Sequence, residues 1–168
     1  EEVVRYGVEH VTGVFQRYSA RSIRVSQNEA ERLLFWKGRK SAFPAVGRIS
    51  PDYYCMDGTI PRRSLSRVLG EISRLSGEYG LRVANVFHAG DGNLHPLILF
   101  DESQPGELEK AEAFGAEILR LCVSVGGCIT GEHGVGVEKL AQMLDQFSDA
   151  ELAQLNAIKD ALDPDALL

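Results

Sequence analysis

The chain has 168 residues, of which 44% are hydrophobic and 25% are charged, as is typical of one soluble globular domain over residues 1–168. The net charge of −6 and the lack of a basic patch argue against a nucleic-acid partner, and no apolar run approaches the ~20 residues of a membrane helix. Three cysteines without a C-x-x-C pair argue against a disulfide framework and predict a reducing, cytoplasmic compartment.

The first part of the chain predicts two helices. The sequence begins with Glu1 inside a helical pattern, so we expect a piece of a longer protein. Apolar residues at helical spacing predict a first helix of about four turns over residues 3–15. A short β-rich run covers residues 21–25, and a second helix is predicted over residues 29–40.

The middle of the chain predicts a loop, a strand and a helix. Residues 41–50 have no period and are interpreted as a loop, and residues 52–56 as a strand that ends at Asp57-Gly58. A clean apolar stripe predicts a third helix over residues 61–79, which Gly80 ends.

The last part of the chain predicts three helices and one short strand. A fourth helix is expected over residues 107–125, a strand at 128–130, and a helical segment around 137–144. Ser148 and Glu151 form a capping box that opens the last helix.

This order of elements predicts an α+β fold. Helices alternate with short strands around one central hairpin, which favours an antiparallel or mixed sheet with helices packed on one face and ferredoxin-like elements. A purely parallel sheet conflicts with the hairpin.

The hairpin carries one histidine on each arm. Asp91-Gly92 is a strong two-residue turn signal, and folding about its midpoint pairs His88 with His95. Directly paired residues share one face, with Cβ atoms roughly 4.5–5.5 Å apart. Two imidazoles placed in this way can hold one divalent metal ion, although strand histidines also occur as purely structural residues.

A second cluster of polar residues is the Glu132-His133 pair, which has glycines on both sides. Neighbouring residues point in different directions, so one can complete a metal shell while the other faces a reactant. Two histidines and a carboxylate form a three-ligand set with open positions, which suits zinc, manganese or iron. His133 would then be free to act as a general base.

Several other polar residues have simpler interpretations. We expect Asp91 to cap the turn rather than to orient a ligand, and we expect the Asn93 amide to serve the turn or a ligand. Lys139 and Glu138 are expected on a solvated helix face, and charge patterning alone makes Arg39 a solvated cation at a helix end.

Residues 87–96 and 127–136 resemble the two signatures of the FAD-linked oxidase C-terminal domain family, which includes glycolate oxidase subunits and D-lactate dehydrogenases. Residues 36–39 and 52–62 look most like the glycolate oxidase members.

The resemblance implies an α+β substrate domain that closes over FAD, with the FAD held mostly by a separate N-terminal domain. His88, His95 and Glu132 match the family's metal ligands, His133 matches the catalytic base, and Arg39 matches an arginine that holds the substrate carboxylate. The implied reaction is metal-assisted oxidation of a 2-hydroxy acid to a 2-oxo acid, with hydride transfer to the flavin.

This chain departs from the family pattern in several places. Phe43, Cys55 and Leu97 replace polar substrate contacts of the hydroxyglutarate enzymes, which argues for a smaller substrate such as glycolate or lactate. Residues 1–168 do not include the family's flavin domain or its Asn-Pro-Gly tail, so we expect this piece to bind FAD weakly or not at all and to be inactive alone.

The resemblance also implies possible partners, including an iron–sulfur subunit that could hold the protein at the membrane surface. Two rival hypotheses are a metal-dependent hydrolase and a non-catalytic ligand-binding or assembly module.

Overall fold

The computed structural model describes residues 2–167, which form helices and one four-stranded antiparallel sheet. The helices are α1 (Glu2–Arg17), α2 (Glu29–Lys40), α3 (Ala42–Val46), α4 (Leu65–Tyr79), α5 (Glu107–Ser124), α6 (Met143–Gln146) and α7 (Asp149–Leu162), with a 3-10 turn at Arg62–Ser64. The strands are β1 (Asp52–Cys55), β2 (Gly58–Thr59), β3 (Val83–His88) and β4 (Asn93–Phe100). Within the described chain, no helix has both the length and the hydropathy that crossing a membrane requires.

The chain divides into two compact units, Glu1–Phe43 and Pro44–Leu168. In the first unit, α2 begins where predicted, because the Asn28 side chain caps it by accepting a hydrogen bond from the Glu31 N–H at 3.0 Å. The β-rich run at 21–25 does not form a strand. These residues have no strand partner within the described part of their unit, and β-propensity alone does not make a ladder.

The second unit is organised around β4, which has strands on both edges. One edge pairs with β3, while β1 and β2 lie in a single register along the other edge, from Asp52 opposite Phe100 to Thr59 opposite Asn93. The predicted strand at 128–130 contributes one antiparallel bridge, between Cys128 and Thr59.

Alternation along β4 separates the core from the opposite face of the sheet. Leu94, Ile98 and Phe100 join a buried cluster with residues of α4 and α5, including Ile72 and Phe114. Because strand side chains alternate, the residues between them point to the other face, which carries Asn93, His95, Leu97 and Leu99. The predicted α+β fold, with helices on one face of an antiparallel sheet, is confirmed.

Some local predictions need correction. The predicted loop at 41–50 contains α3, with Pro44 in its first turn, where a missing N–H is tolerated. The third helix starts with the 3-10 turn and becomes regular only at Leu65, and the segment 137–142 forms turns instead of a helix. The capping box of Ser148 and Glu151 is confirmed at the start of α7.

The hairpin register also differs from the prediction. His88 pairs with Asn93, not with His95, because the connecting loop is residues 89–92. Gly92 closes this loop with φ +79°. Its carbonyl accepts the Ile60 N–H at 2.9 Å, and this hydrogen bond connects the turn to the residue that follows β2. The difference is two residues, so both histidines still lie on the same face of the sheet.

Gly92 gives a direct test of this connection. A Cβ added at Gly92 would lie 2.1 Å from the Ile60 carbonyl oxygen, while one at Gly80 meets no heavy atom within 4 Å. Both residues have positive φ, so Gly80→Ala should cost only the roughly 1–2 kcal/mol of a left-handed alanine. Gly92→Ala should lower the free energy of unfolding in urea by clearly more, and equal losses would contradict this account.

Candidate active site

The two hairpin histidines and Glu132 meet at one point. Glu132 Oε1 lies 2.8 Å from His95 Nε2 and 3.6 Å from His88 Nε2. The two imidazole rings are nearly perpendicular, at 86°, with centroids 5.4 Å apart. The His95 side chain is only 5% exposed, whereas His88 and Glu132 are 45% and 53% exposed. The three side chains therefore converge at one site, with the buried His95 at its back and the half-exposed His88 and Glu132 at its solvent-facing front.

His133 lies beside this group. Its ring stacks on that of His95, with centroids 5.1 Å apart and 21° between the planes. Potential ligand atoms of Asp57, His95, Glu132 and His133 all lie within 4.8 Å of one another. This group contains the predicted base His133 and two of the three predicted ligands, His95 and Glu132, together with Asp57. The third predicted ligand, His88, lies outside this group, with its Nε2 3.6 Å from Glu132 Oε1.

Asp57 is a site residue that sequence reasoning missed. Its side chain is fully buried, and its Oδ2 accepts hydrogen bonds from the Thr130 hydroxyl at 2.8 Å and from the N–H groups of Gly131, Glu132 and His133 at 2.9, 3.1 and 2.9 Å. Burial alone would raise the pKa of Asp57, but these hydrogen bonds outweigh it and hold the pKa well below its ordinary value. The resulting anion fixes the backbone that presents Glu132 and His133.

Lys139 corrects a second prediction. It was expected on a solvated helix face, yet it is 3% exposed, and its Nζ donates to the Asp57 main-chain oxygen at 3.0 Å and lies 3.5 Å from Asp57 Oδ2. Because 137–142 forms turns, position 139 is not confined to one side of a helix. Glu138 is exposed, as predicted.

Asn93 lies at the edge of this cluster and is 6% exposed. Its Nδ2 is 3.5 Å from His95 Nε2, and its Oδ1 has no hydrogen-bond partner among the described residues. Gly131 packs directly on the amide, since an added Cβ would lie 2.5 Å from Oδ1. A cavity of about 300 Å³ opens here, lined by Thr59, His88, Asp91, Asn93, Gly131 and Glu132.

The remaining predicted residues lie in different places. Asp91 lies in the turn, where its main-chain N–H donates to the His88 carbonyl at 3.0 Å, and it also lines the cavity described above. Arg39 is in the last turn of α2, in the first unit, so its part in the site stays a prediction. Cys55 and Leu97 are paired across β1 and β4, on the face of the sheet that carries His95.

The cysteines are free, and two of them have shifted acidities. Burial raises the pKa of the Cys55 thiol to about 11 and that of Cys122 to about 12. Both thiols therefore stay protonated at neutral pH, which fits packing roles.

Lys139 can be tested against a lysine outside the cluster. Lys139→Met removes the cation from a buried pair and should lower the free energy of unfolding by about 3–5 kcal/mol. Lys159 pairs with Asp163 but is 48% exposed, so Lys159→Met should cost about 1 kcal/mol or less. Urea denaturation of the two variants measures the difference, and similar small losses would show that the Lys139 contact is not a strong one.

Comparison with known proteins gives one family. Residues 1–168 match the family model described as FAD linked oxidases, C-terminal domain. The glycolate oxidase subunit GlcD of Escherichia coli is 60% identical over 168 residues, which are 100% of this chain and 34% of that protein. GlcD of Bacillus subtilis is 32% identical over 167 residues, 99% of this chain and 36% of that protein.

A more distant relative is the mitochondrial D-lactate dehydrogenase (cytochrome) of Kluyveromyces lactis. It is 25% identical over 174 residues, which cover 100% of this chain and 30% of that protein. The chain therefore spans about a third of the length of these relatives.

Proposed function

The chain belongs to the family of FAD linked oxidase C-terminal domains, and on that premise we propose that it is the substrate domain of an FAD-dependent 2-hydroxy acid dehydrogenase of the glycolate or D-lactate type. The observation that carries the proposal is the convergence of His88, His95 and Glu132 beside His133. The proposed reaction oxidises the alcohol of a small 2-hydroxy acid to a 2-oxo acid.

The donor set fits a divalent cation. Two imidazole nitrogens and one carboxylate oxygen are ligands that zinc, manganese and iron all accept, and Glu132 Oε1 already lies within 3.6 Å of both nitrogens. In this proposal His88, His95 and Glu132 hold the cation, which when bound supplies Lewis-acid stabilisation of the developing alkoxide.

The flavin supplies hydride acceptance and is held mostly by a separate domain, so this chain contributes to the chemistry through its own side chains. Asn93 supports a contact in this region, because it lines the 300 Å³ cavity and its buried Oδ1 has no hydrogen-bond partner among the described residues. We propose that this amide faces the cofactor side of the site.

His133 is proposed to take the hydroxyl proton of the substrate. An imidazole titrates near neutral pH, as a general base requires. The His133 ring stacks on the buried His95 ring, and the main-chain N–H of His133 donates a hydrogen bond to Asp57, so both the ring and its backbone are restricted in position. A restricted base loses less entropy when it reaches the productive geometry.

Substrate selection is proposed to combine one charge contact with an apolar wall. Arg39 holds the single carboxylate, since a guanidinium can pair with a carboxylate through two parallel hydrogen bonds. Cys55 and Leu97 present no charged group on the face that carries His95. A second carboxylate buried against them would be left unpaired, which is costly, so a small substrate is favoured.

The rival hypotheses have less support. The family match covers residues 1–168 and describes FAD linked oxidases, which favours an oxidase over a hydrolase or a non-catalytic module. The relatives named GlcD are subunits of glycolate oxidase. We accordingly propose that the whole protein works in the cytoplasm with partner subunits, including an iron–sulfur protein that could hold it at the membrane.

The role of His133 predicts a kinetic result. In the full-length enzyme, His133→Ala should lower kcat by about 10²–10⁴-fold, the usual contribution of a general base, and change KM much less. The matched control is His10→Ala, which removes a histidine of α1 and should leave kcat unchanged. An unchanged kcat in His133→Ala would remove His133 from this role.

The metal centre predicts a binding result that does not depend on turnover. Elemental analysis of the purified chain after dialysis against zinc should find one equivalent in the parent and in His10→Ala. His95→Ala and Glu132→Gln should each lose it, because a two-ligand site binds weakly. Zinc retained at full stoichiometry in His95→Ala would contradict the proposed ligand set.

A further inference from the structure

Asp57 and His95 are placed opposite each other by the sheet. The Met56 N–H donates to the Pro96 carbonyl at 3.1 Å, and Gly58 pairs with Leu94. Continuing this register puts Asp57 directly across from His95. Both side chains are buried, with residue exposures of 0% and 4%.

The two oxygens of the Asp57 carboxylate have different surroundings. Oδ2 receives the hydrogen bonds of the loop at 130–133 and is the oxygen that lies 3.5 Å from Lys139 Nζ. Oδ1 is approached by the Glu132 N–H at 3.3 Å, and it faces His95 Nδ1 at 4.0 Å. The donors that hold the loop therefore anchor one oxygen and leave the other directed at the imidazole.

The His95 ring lies between two carboxylates. Its Nε2 is 2.8 Å from Glu132 Oε1, at the point where the ligands converge, and this distance between two acceptor atoms requires a proton or a cation between them. Its Nδ1 is buried without a hydrogen-bond partner among the described residues. A buried ring N–H requires an acceptor, and an approach of about 1 Å by Asp57 Oδ1 would provide a normal hydrogen bond.

We propose that Asp57 is a positioning residue that keeps the proton of His95 on Nδ1 and so leaves Nε2 free to bind a cation. A ligating histidine typically donates its other N–H to a carboxylate or carbonyl, which fixes the tautomer and the ring orientation. The part of this proposal that concerns cation affinity rests on the metal centre proposed above, while the part that concerns the proton position does not.

Asp57→Asn keeps the shape of the side chain but removes its negative charge. The amide oxygen can keep accepting from the loop donors on the Oδ2 side, because four donors point there. Its NH2 group then replaces Oδ1 and presents an N–H to His95. This reversal favours the tautomer with the proton on Nε2, where it competes with the cation.

The matched control is Asp163→Asn. Asp163 is also a buried aspartate with a lysine partner, Lys159, and it accepts the Leu167 N–H at 2.8 Å. Lys159 and Leu167 belong to the C-terminal part of the chain, and we expect the variant to carry a folding cost without the predicted effect on His95.

Two measurements test the proposal. Calorimetric titration with Zn²⁺ should show an affinity about 10–100-fold lower for Asp57→Asn than for the parent or Asp163→Asn. Nitrogen-15 chemical shifts of His95 should show a protonated Nδ1 in the zinc-loaded parent, and in the metal-free chain the proton should leave Nδ1 when Asp57 becomes asparagine.

The outcomes are distinguishable. Equal zinc affinities with an unchanged His95 tautomer would overturn the role of Asp57, even if the parent binds zinc as proposed. A parent that binds no zinc would overturn the metal centre, and the metal-free tautomer would still decide the role of Asp57. If Asp57→Asn does not fold, the metal-free parent decides alone, because a His95 Nδ1 without a proton in that state would overturn the proposal.

Discussion

A single buried carboxylate holds the site together. The loop at 130–133 has no regular secondary structure, so its backbone N–H groups need an acceptor, and Asp57 provides one for three of them in succession. Hydrogen bonds to a charged group contribute roughly 1.5–3 kcal/mol each. Lys139 offsets the negative charge, and the positions of Glu132 and His133 follow from this contact.

Local patterns were sufficient for much of the fold. The apolar stripes of α4 and α5 and the capping box at Ser148 depend on residues a few positions apart, which the sequence displays directly. The shared face of His88 and His95 could also be predicted, because strand periodicity survives an even change of register. The Glu132-His133 pair was singled out by its flanking glycines, and its place beside the two histidines was implied by the family resemblance.

The rest depends on contacts between distant segments. Asp57-Gly58 has the local composition of a turn. Asp57 is buried because β1 and β2, which flank it, both pair with β4. In the sequence alone, Lys139 has the pattern of a surface lysine. In the structure, the turns around it place its side chain against Asp57. The hairpin register was set by the contact of Gly92 with Ile60, more than 30 residues away, which no turn rule contains.

The uneven burial of the cluster has a stereochemical consequence. Asp57 and His95 close the back of the site, while His88 and Glu132 remain about half exposed at the front. A small molecule can then approach these groups from one side only. In the proposed function, these polar groups would all lie on one side of the reacting carbon, so two mirror-image substrates would place different substituents against them.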